Sequence, residues 1–222
     1  GIKMLTEDEK EHLCELFEQY SRNHQVVKFV PASGAATRMF KQLFAFSKSY
    51  KGTDEEYKAL IKDQSSGSMF DFFKQLEKFA FYEDLKESFK KNEGVELTEA
   101  HMKRAYVDIL KNLLDESGLS YGSLPKGLLK FHRYEDEART PVEEHLVEAS
   151  EYAVCRGQEV HLHFTVSPEH QPKFESHVSE IKESYQKKYG IVINVNYSIQ
   201  KPSTDTIAVD MQNAPFREED GS

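Results

Sequence analysis

Between residues 26 and 39 the chain reads VVKFVPASGAATRM, a β-branched run closed by Pro31, then Ala32, Ser33, Gly34, Ala35 and Ala36, then Thr37-Arg38-Met39. A run of small side chains lets a phosphate oxygen come close to backbone N–H groups, and only glycine takes positive φ without penalty. Arg38, at the start of the helix that follows, can fork two hydrogen bonds to such a group. The chemistry on offer is therefore anion binding. The named phosphate and nucleophile motifs do not fit. A Walker loop needs a second glycine and a lysine, a dinucleotide fingerprint needs G-x-G-x-x-G, and a nucleophile elbow needs G-x-S-x-G. A plainer reading stands beside this one, and for the loop alone it is the commoner. In it the small residues permit a tight strand-to-helix turn, and Arg38 is a solvated surface side chain.

Other groups offer less. His161 and His163 alternate onto one strand face, yet no third ligand accompanies them, and two rarely make a metal site. Glu143, Glu144 and His145 resemble an acid–base cluster on paper, but Glu143 is accounted for as the third helical residue of a capping box begun by Thr140. The stretch MFDFFKQLEKFAF reads as a core stripe, with a partner-binding groove as the sharper alternative. Cys14 and Cys155 lack metal or redox spacing, which points to a reducing, cytoplasmic setting.

The elements that must position these residues follow from periodicity and caps. A helix is expected from Thr6 to about Asn23, with Leu13, Leu16, Phe17 and Tyr20 as its inner stripe. Val26 to Val30 reads as a strand, and Thr37 to about Lys48 as a helix with Met39, Phe40, Leu43 and Phe44 inward. Residues 53–118 read as helical throughout. Ser68 caps one segment carrying Phe72 to Ala80, and Thr98 a longer one carrying Met102 to Leu114, with Gly118 in the C′ role. Thr140, Pro141 and Glu143 start another helix, with Val142, Leu146, Ala149 and Ala153 buried. Glu159 to Val166 alternates as a strand, Pro168 to about Tyr189 is a helix, Ile191 to Ile199 a strand and Thr206 to Val209 a last one. Strands separated by helices predict one α/β domain over 1–222, with a mostly parallel central sheet flanked by helices and an α-helical insertion at about 53–118.

Composition narrows the partners. The 222 residues carry a formal charge of −9, which argues against nucleic acid, whose binders need a basic face. No apolar run reaches the length of a membrane span, and nothing reads as a signal peptide. The C-terminal Asp220-Gly221 is a hairpin-turn signal, so the sequence is read as open to being part of a longer chain.

VPASGAATRMF resembles the signature loop of the sugar nucleotidyltransferases, in which a glycine-rich turn precedes Thr-Arg-Met or Thr-Arg-Leu. Thr37, Arg38, Met39 and Gly34 match, whereas Ala36 stands where that pattern has glycine. If that position needed positive φ, an L-residue there would cost roughly 1–2 kcal/mol. LPKGLLKFHRYEDEARTPVEEHLVEA is similar to the family's Pro-Lys-x-Leu segment, with Lys126 on the phosphate-binding lysine, and YSIQKPSTDTIAVD is loosely similar to a glutamine-containing strand. With both segments, the chain resembles the N-terminal part of an uncharacterised bacterial domain family related to these enzymes.

The resemblance implies a Rossmann-like nucleotide-diphospho-sugar transferase fold and a reaction joining a nucleoside triphosphate to a sugar 1-phosphate with release of pyrophosphate. It implies Arg38 and Lys126 as catalytic residues and Ala32, Ser33, Gly34, Ala35, Ala36 and Thr37 as the nucleotide cradle. Mg²⁺ is the cofactor it implies, with no aspartate assigned to hold it, since Asp205 and Asp210 lack the expected context. Two other classes stay open: a catalytically silent nucleotide- or sugar-phosphate-binding module, and an interaction scaffold working through the helical insertion.

Overall fold

The structure is a computed structural model that describes residues 2–204, 207 and 209–215. Asp205, Asp220-Gly221, and Thr206 and Ala208 of the expected last strand lie outside these residues. Val209 pairs with Pro215 in an isolated antiparallel bridge.

Helix α1 (Glu7–Asn23) begins with the expected capping box. Thr6 accepts the Glu9 N–H, and the Glu9 carboxylate accepts that of Thr6. Its apolar stripe does not pack inward: Leu13, Leu16, Phe17 and Tyr20 are all exposed, and Ser21 is the residue of this helix that is buried. Periodicity asks for a partner surface without naming it, and none of the described residues supplies one.

Strand β1 (Val27–Pro31) leaves through the small-residue loop into a 3₁₀ turn, Thr37–Phe40, and only then into α2 (Lys41–Ser49). The α-helix thus starts later than Thr37. Phe40 and Leu43 are buried and Phe44 is half-buried, whereas Met39, expected inward, is 49% exposed.

A helical block follows: α3 (Asp54–Lys62), α4 (Met69–Lys74), α5 (Tyr82–Glu93), α6 (Leu97–Met102) and α7 (Tyr106–Leu114). Ser68 caps α4 as expected. The long helix expected from Thr98 is two helices. Glu96 occupies the cap position of α6 without a side-chain bond, and the chain breaks before α7, where Arg104 has φ 62°. Gly118 is not a C′ glycine either. Its φ is not positive, and a Cβ there would lie 1.9 Å from the Asn112 carbonyl oxygen, so glycine serves a close backbone approach.

After a minimal antiparallel pair, β2 (His132–Arg133) and β3 (Ala138–Arg139), the Thr140–Glu143 capping box starts α8 (Pro141–Tyr152). Strand β4 (Glu159–Val166), helix α9 (Gln171–Tyr189) and strand β5 (Val192–Ile199) complete the order. The sheet runs β1-β4-β5, all parallel, with Val30 beside Phe164 and Phe164 beside Tyr197. The protein is therefore α/β, with a three-stranded parallel sheet.

Val160, Leu162, Phe164 and Val166 are fully buried against α8 and α9, which cover the same face. All-parallel sheets usually have helices on both faces. Here the opposite face, with Val27, Phe29, His163 and Asn196, is partly or fully exposed among the described residues.

Two hydrophobic cores result. One joins the sheet to α8 and α9. The other fills the helical block and draws in residues outside 53–118, including Ala36, Phe40, Leu43 and Leu129.

Candidate functional site

The small-residue loop sits at the carboxyl end of the sheet, where parallel α/β proteins bind ligands. The Ala32 N–H donates to the Thr165 carbonyl (2.7 Å), carrying the β1–β4 pairing one residue past the strand. The Lys126 N–H then donates to the Gly34 carbonyl (3.1 Å), and Ala35 faces Pro125 in an antiparallel bridge. The Ser33 hydroxyl donates to the Gln200 side chain, just past β5. Three segments distant in sequence are thereby tied to one loop. The N–H groups of Ser33, Gly34 and Ala35 have no hydrogen-bond partner among the described residues.

The backbone removes the strain anticipated at Ala36. This residue has φ −92° and ψ −3°, an ordinary right-handed conformation, and is fully buried in the helical core. Gly34 also has no positive φ, and a Cβ there would have nothing within 4 Å. No contact among the described residues therefore requires glycine at 34; its missing Cβ faces open space. The loop opens onto a 3₁₀ turn rather than an α-helix, so an anion placed there would meet free amides more than a helix dipole.

Thr37, Arg38 and the Lys126 side chain are exposed, and neither cation is in an ion pair or hydrogen bond among the described residues. Beside the loop lies an open cleft of about 680 Å³, walled by Ser33, Ser167, Pro168, Ser198, Gln200 and Lys201. Arg38 and Lys126 do not line it, and Lys201 is the cation that does. Sequence reading missed Ser167, Ser198 and Lys201. Their signal is positional: Ser198 is near the end of its strand, and the other two lie just beyond theirs.

The described residues of the cleft walls do not suit the implied Mg²⁺. That ion prefers carboxylate oxygens, and these side chains offer hydroxyls, an amide and an ammonium group. More widely, no group of three or more His, Cys, Asp or Glu that could hold a metal occurs among the described residues. His161 bonds to Glu159 (3.1 Å) and His163 to Ser198 (2.8 Å).

Nor do the three neighbours at 143–145 converge. Glu143 closes the capping box, Glu144 lies 3.4 Å from Arg139, and His145 lies 3.4 Å from Glu148. Cys14 is exposed and Cys155 buried, both as free thiols.

Among the described residues no helix is long and apolar enough to cross a membrane. No curated protein and no solved structure matches the chain. A family model does match, over residues 1–222, so this chain, with its loop tied to Lys126 and Gln200, belongs to the family described as a domain of unknown function, DUF4301.

Proposed function

We propose that the chain binds a nucleotide or sugar phosphate at the carboxyl end of its sheet, in the manner of a Rossmann-like sugar nucleotidyltransferase. The observation that carries this reading is the hydrogen bond from the Lys126 N–H to the Gly34 carbonyl. It joins the two segments that resemble that family, which are separated by the whole helical block. The amides of Ser33, Gly34 and Ala35, free among the described residues, are the natural seat for a phosphate, and Arg38, Lys126 and Lys201 supply positive charge nearby that no described residue pairs with.

The transfer such a site would serve is attack by a sugar 1-phosphate oxygen on the α-phosphorus of a nucleoside triphosphate, with loss of pyrophosphate. That chemistry needs positioning and charge neutralisation rather than a covalent nucleophile. In this reading the loop amides and Thr37 hold the nucleotide, Arg38 stabilises the departing pyrophosphate, and Lys126 neutralises charge near the reacting phosphates. A binding module without turnover is the second reading, favoured by the lack of carboxylates among the described residues of the cleft walls.

Thermal-shift screening with nucleoside triphosphates and diphosphate sugars, with and without Mg²⁺, tests binding, and pyrophosphate release on any hit separates the two readings. Arg38→Ala and Lys126→Ala should each shrink the ligand-induced shift. Unliganded stability should stay within about 0.5 kcal/mol of the parent, since both side chains are exposed. A parent protein that shifts with none of these ligands sinks both readings.

A further inference from the structure

The helical block holds a second cavity, of about 580 Å³, within the roughly 300–1,000 Å³ range of small-molecule sites. Its floor is part of the helical core: Phe40, Leu43 and Phe81 are buried there. Its walls are rings. Phe72 and Phe79 lie 5.1 Å apart, and Phe79 stacks on Phe81 at 5.1 Å with 5° between planes. At the rim Met39 and Phe131 remain 49% and 41% exposed.

The polar groups are few and uneven. Asp71 is already engaged, accepting the Gly67 N–H (3.1 Å) and the Gln75 side-chain amide (2.6 Å). Lys130 is paired with Asp84 at 2.7 Å. Lys78 is exposed and has no ion pair or hydrogen bond from its ammonium group among the described residues. The cavity is thus a largely apolar, phenyl-walled space with one exposed cation at its border, close enough for its charge to act on the Asp71 carboxylate but in neither an ion pair nor a hydrogen bond with it. Thioethers at Met39 and Met69 can adapt to an irregular chain.

We infer that this cavity binds an amphipathic anion: a hydrocarbon chain lies against the phenylalanine rings, and a phosphate or carboxylate head sits at Lys78. The exposed Lys78 ammonium, unbonded among the described residues, selects the head, and the ring-lined interior selects the chain. The site is separate from the loop cleft, with which it shares no wall residue, and goes beyond the function proposed above.

The test is displacement of anilinonaphthalene sulfonate by dodecyl phosphate below its micelle concentration. The chain has no tryptophan to complicate the fluorescence. Dodecyl phosphate should displace the dye, and inorganic phosphate should not. Dodecyltrimethylammonium should be weaker by about tenfold, and Lys78→Glu should weaken dodecyl phosphate by a similar factor. Ala80→Phe, which fills the cavity, should abolish displacement, while Arg38→Ala should leave it unchanged.

No displacement from the parent protein overturns the proposal, as does equal displacement by the cationic detergent or by inorganic phosphate. Unaltered affinity in Lys78→Glu overturns it too. Should Ala80→Phe fail to fold, Lys78→Glu at its exposed position decides alone. Loss of displacement in Arg38→Ala would assign the dye to the loop site and also count against the cavity.

Discussion

Gly34 and Ala36 share one loop and answer to different demands. Ala36 fills the helical core in an ordinary right-handed conformation, so Ala36→Gly should lower stability by about 1 kcal/mol and gain nothing in binding. Gly34 meets open space, so Gly34→Ala should leave unliganded stability unchanged or raise it by up to about 1 kcal/mol. Under the proposed function the added methyl would crowd a phosphate approaching the amides, so the nucleotide-induced shift should fall. Denaturant titration and thermal shift on both variants check the pair, and a Gly34→Ala protein that binds normally removes the loop from the site. A different residue sets a pH response. Burial holds the His177 imidazole below its usual 6.5; Lys130 adds to this, and Glu143 and Glu180 oppose it. Its Nε2 lies 3.0 Å from the Thr140 hydroxyl. The folded protein therefore resists protonation that the unfolded chain accepts, and stability present above about pH 6.5 is lost as the pH falls below it. Melting temperatures measured from pH 7.5 down to 5.5 should decline, and His177→Gln should decline less; parallel profiles would exclude His177 as a source.

At the scale of elements, the tightest local constraint is Gly118. With a Cβ 1.9 Å from the Asn112 oxygen, Gly118→Ala must displace backbone, and should cost about 3 kcal/mol in denaturant unfolding. A loss below about 0.5 kcal/mol, the ordinary surface range, would show that the segment after α7 relaxes freely. Sequence reading found the glycine and gave it the wrong task, because a C′ glycine and a close-approach glycine look alike in one dimension. What was legible was local. The alternation of β4 and the Thr140–Glu143 box depend on neighbours a few residues apart, and both stand as expected. The apolar stripe of α1 was equally visible, but its exposure depends on what surrounds it in space. The break between α6 and α7 carries no glycine or proline; Arg104 takes positive φ, which nothing in the local sequence announces. The cleft was half legible. Its loop could be read directly, whereas Ser167, Ser198 and Lys201 become neighbours only once three strands align.

The whole molecule is built on two cores, and chains of this kind open in separate cooperative units. Hydrogen exchange should therefore give two opening free energies, one shared by the amides of β4 and α9 and another by those of α5 and α7. A single value across both sets would show that the cores melt as one. The chain crosses between the cores at the very segments that form the candidate site. Ala32 packs with the sheet core and Ala36 with the helical one; Leu128 packs with the sheet core and Leu129 with the helical one. The Gly34–Lys126 hydrogen bond ties these two crossings together. Two stretches of chain thus cross the seam side by side, and a phosphate held by the loop would act as a rivet through both. By linkage it would stabilise whichever half opens first, by about 2.7 kcal/mol at a hundredfold excess over Kd. Saturating ligand should then draw the two opening energies together.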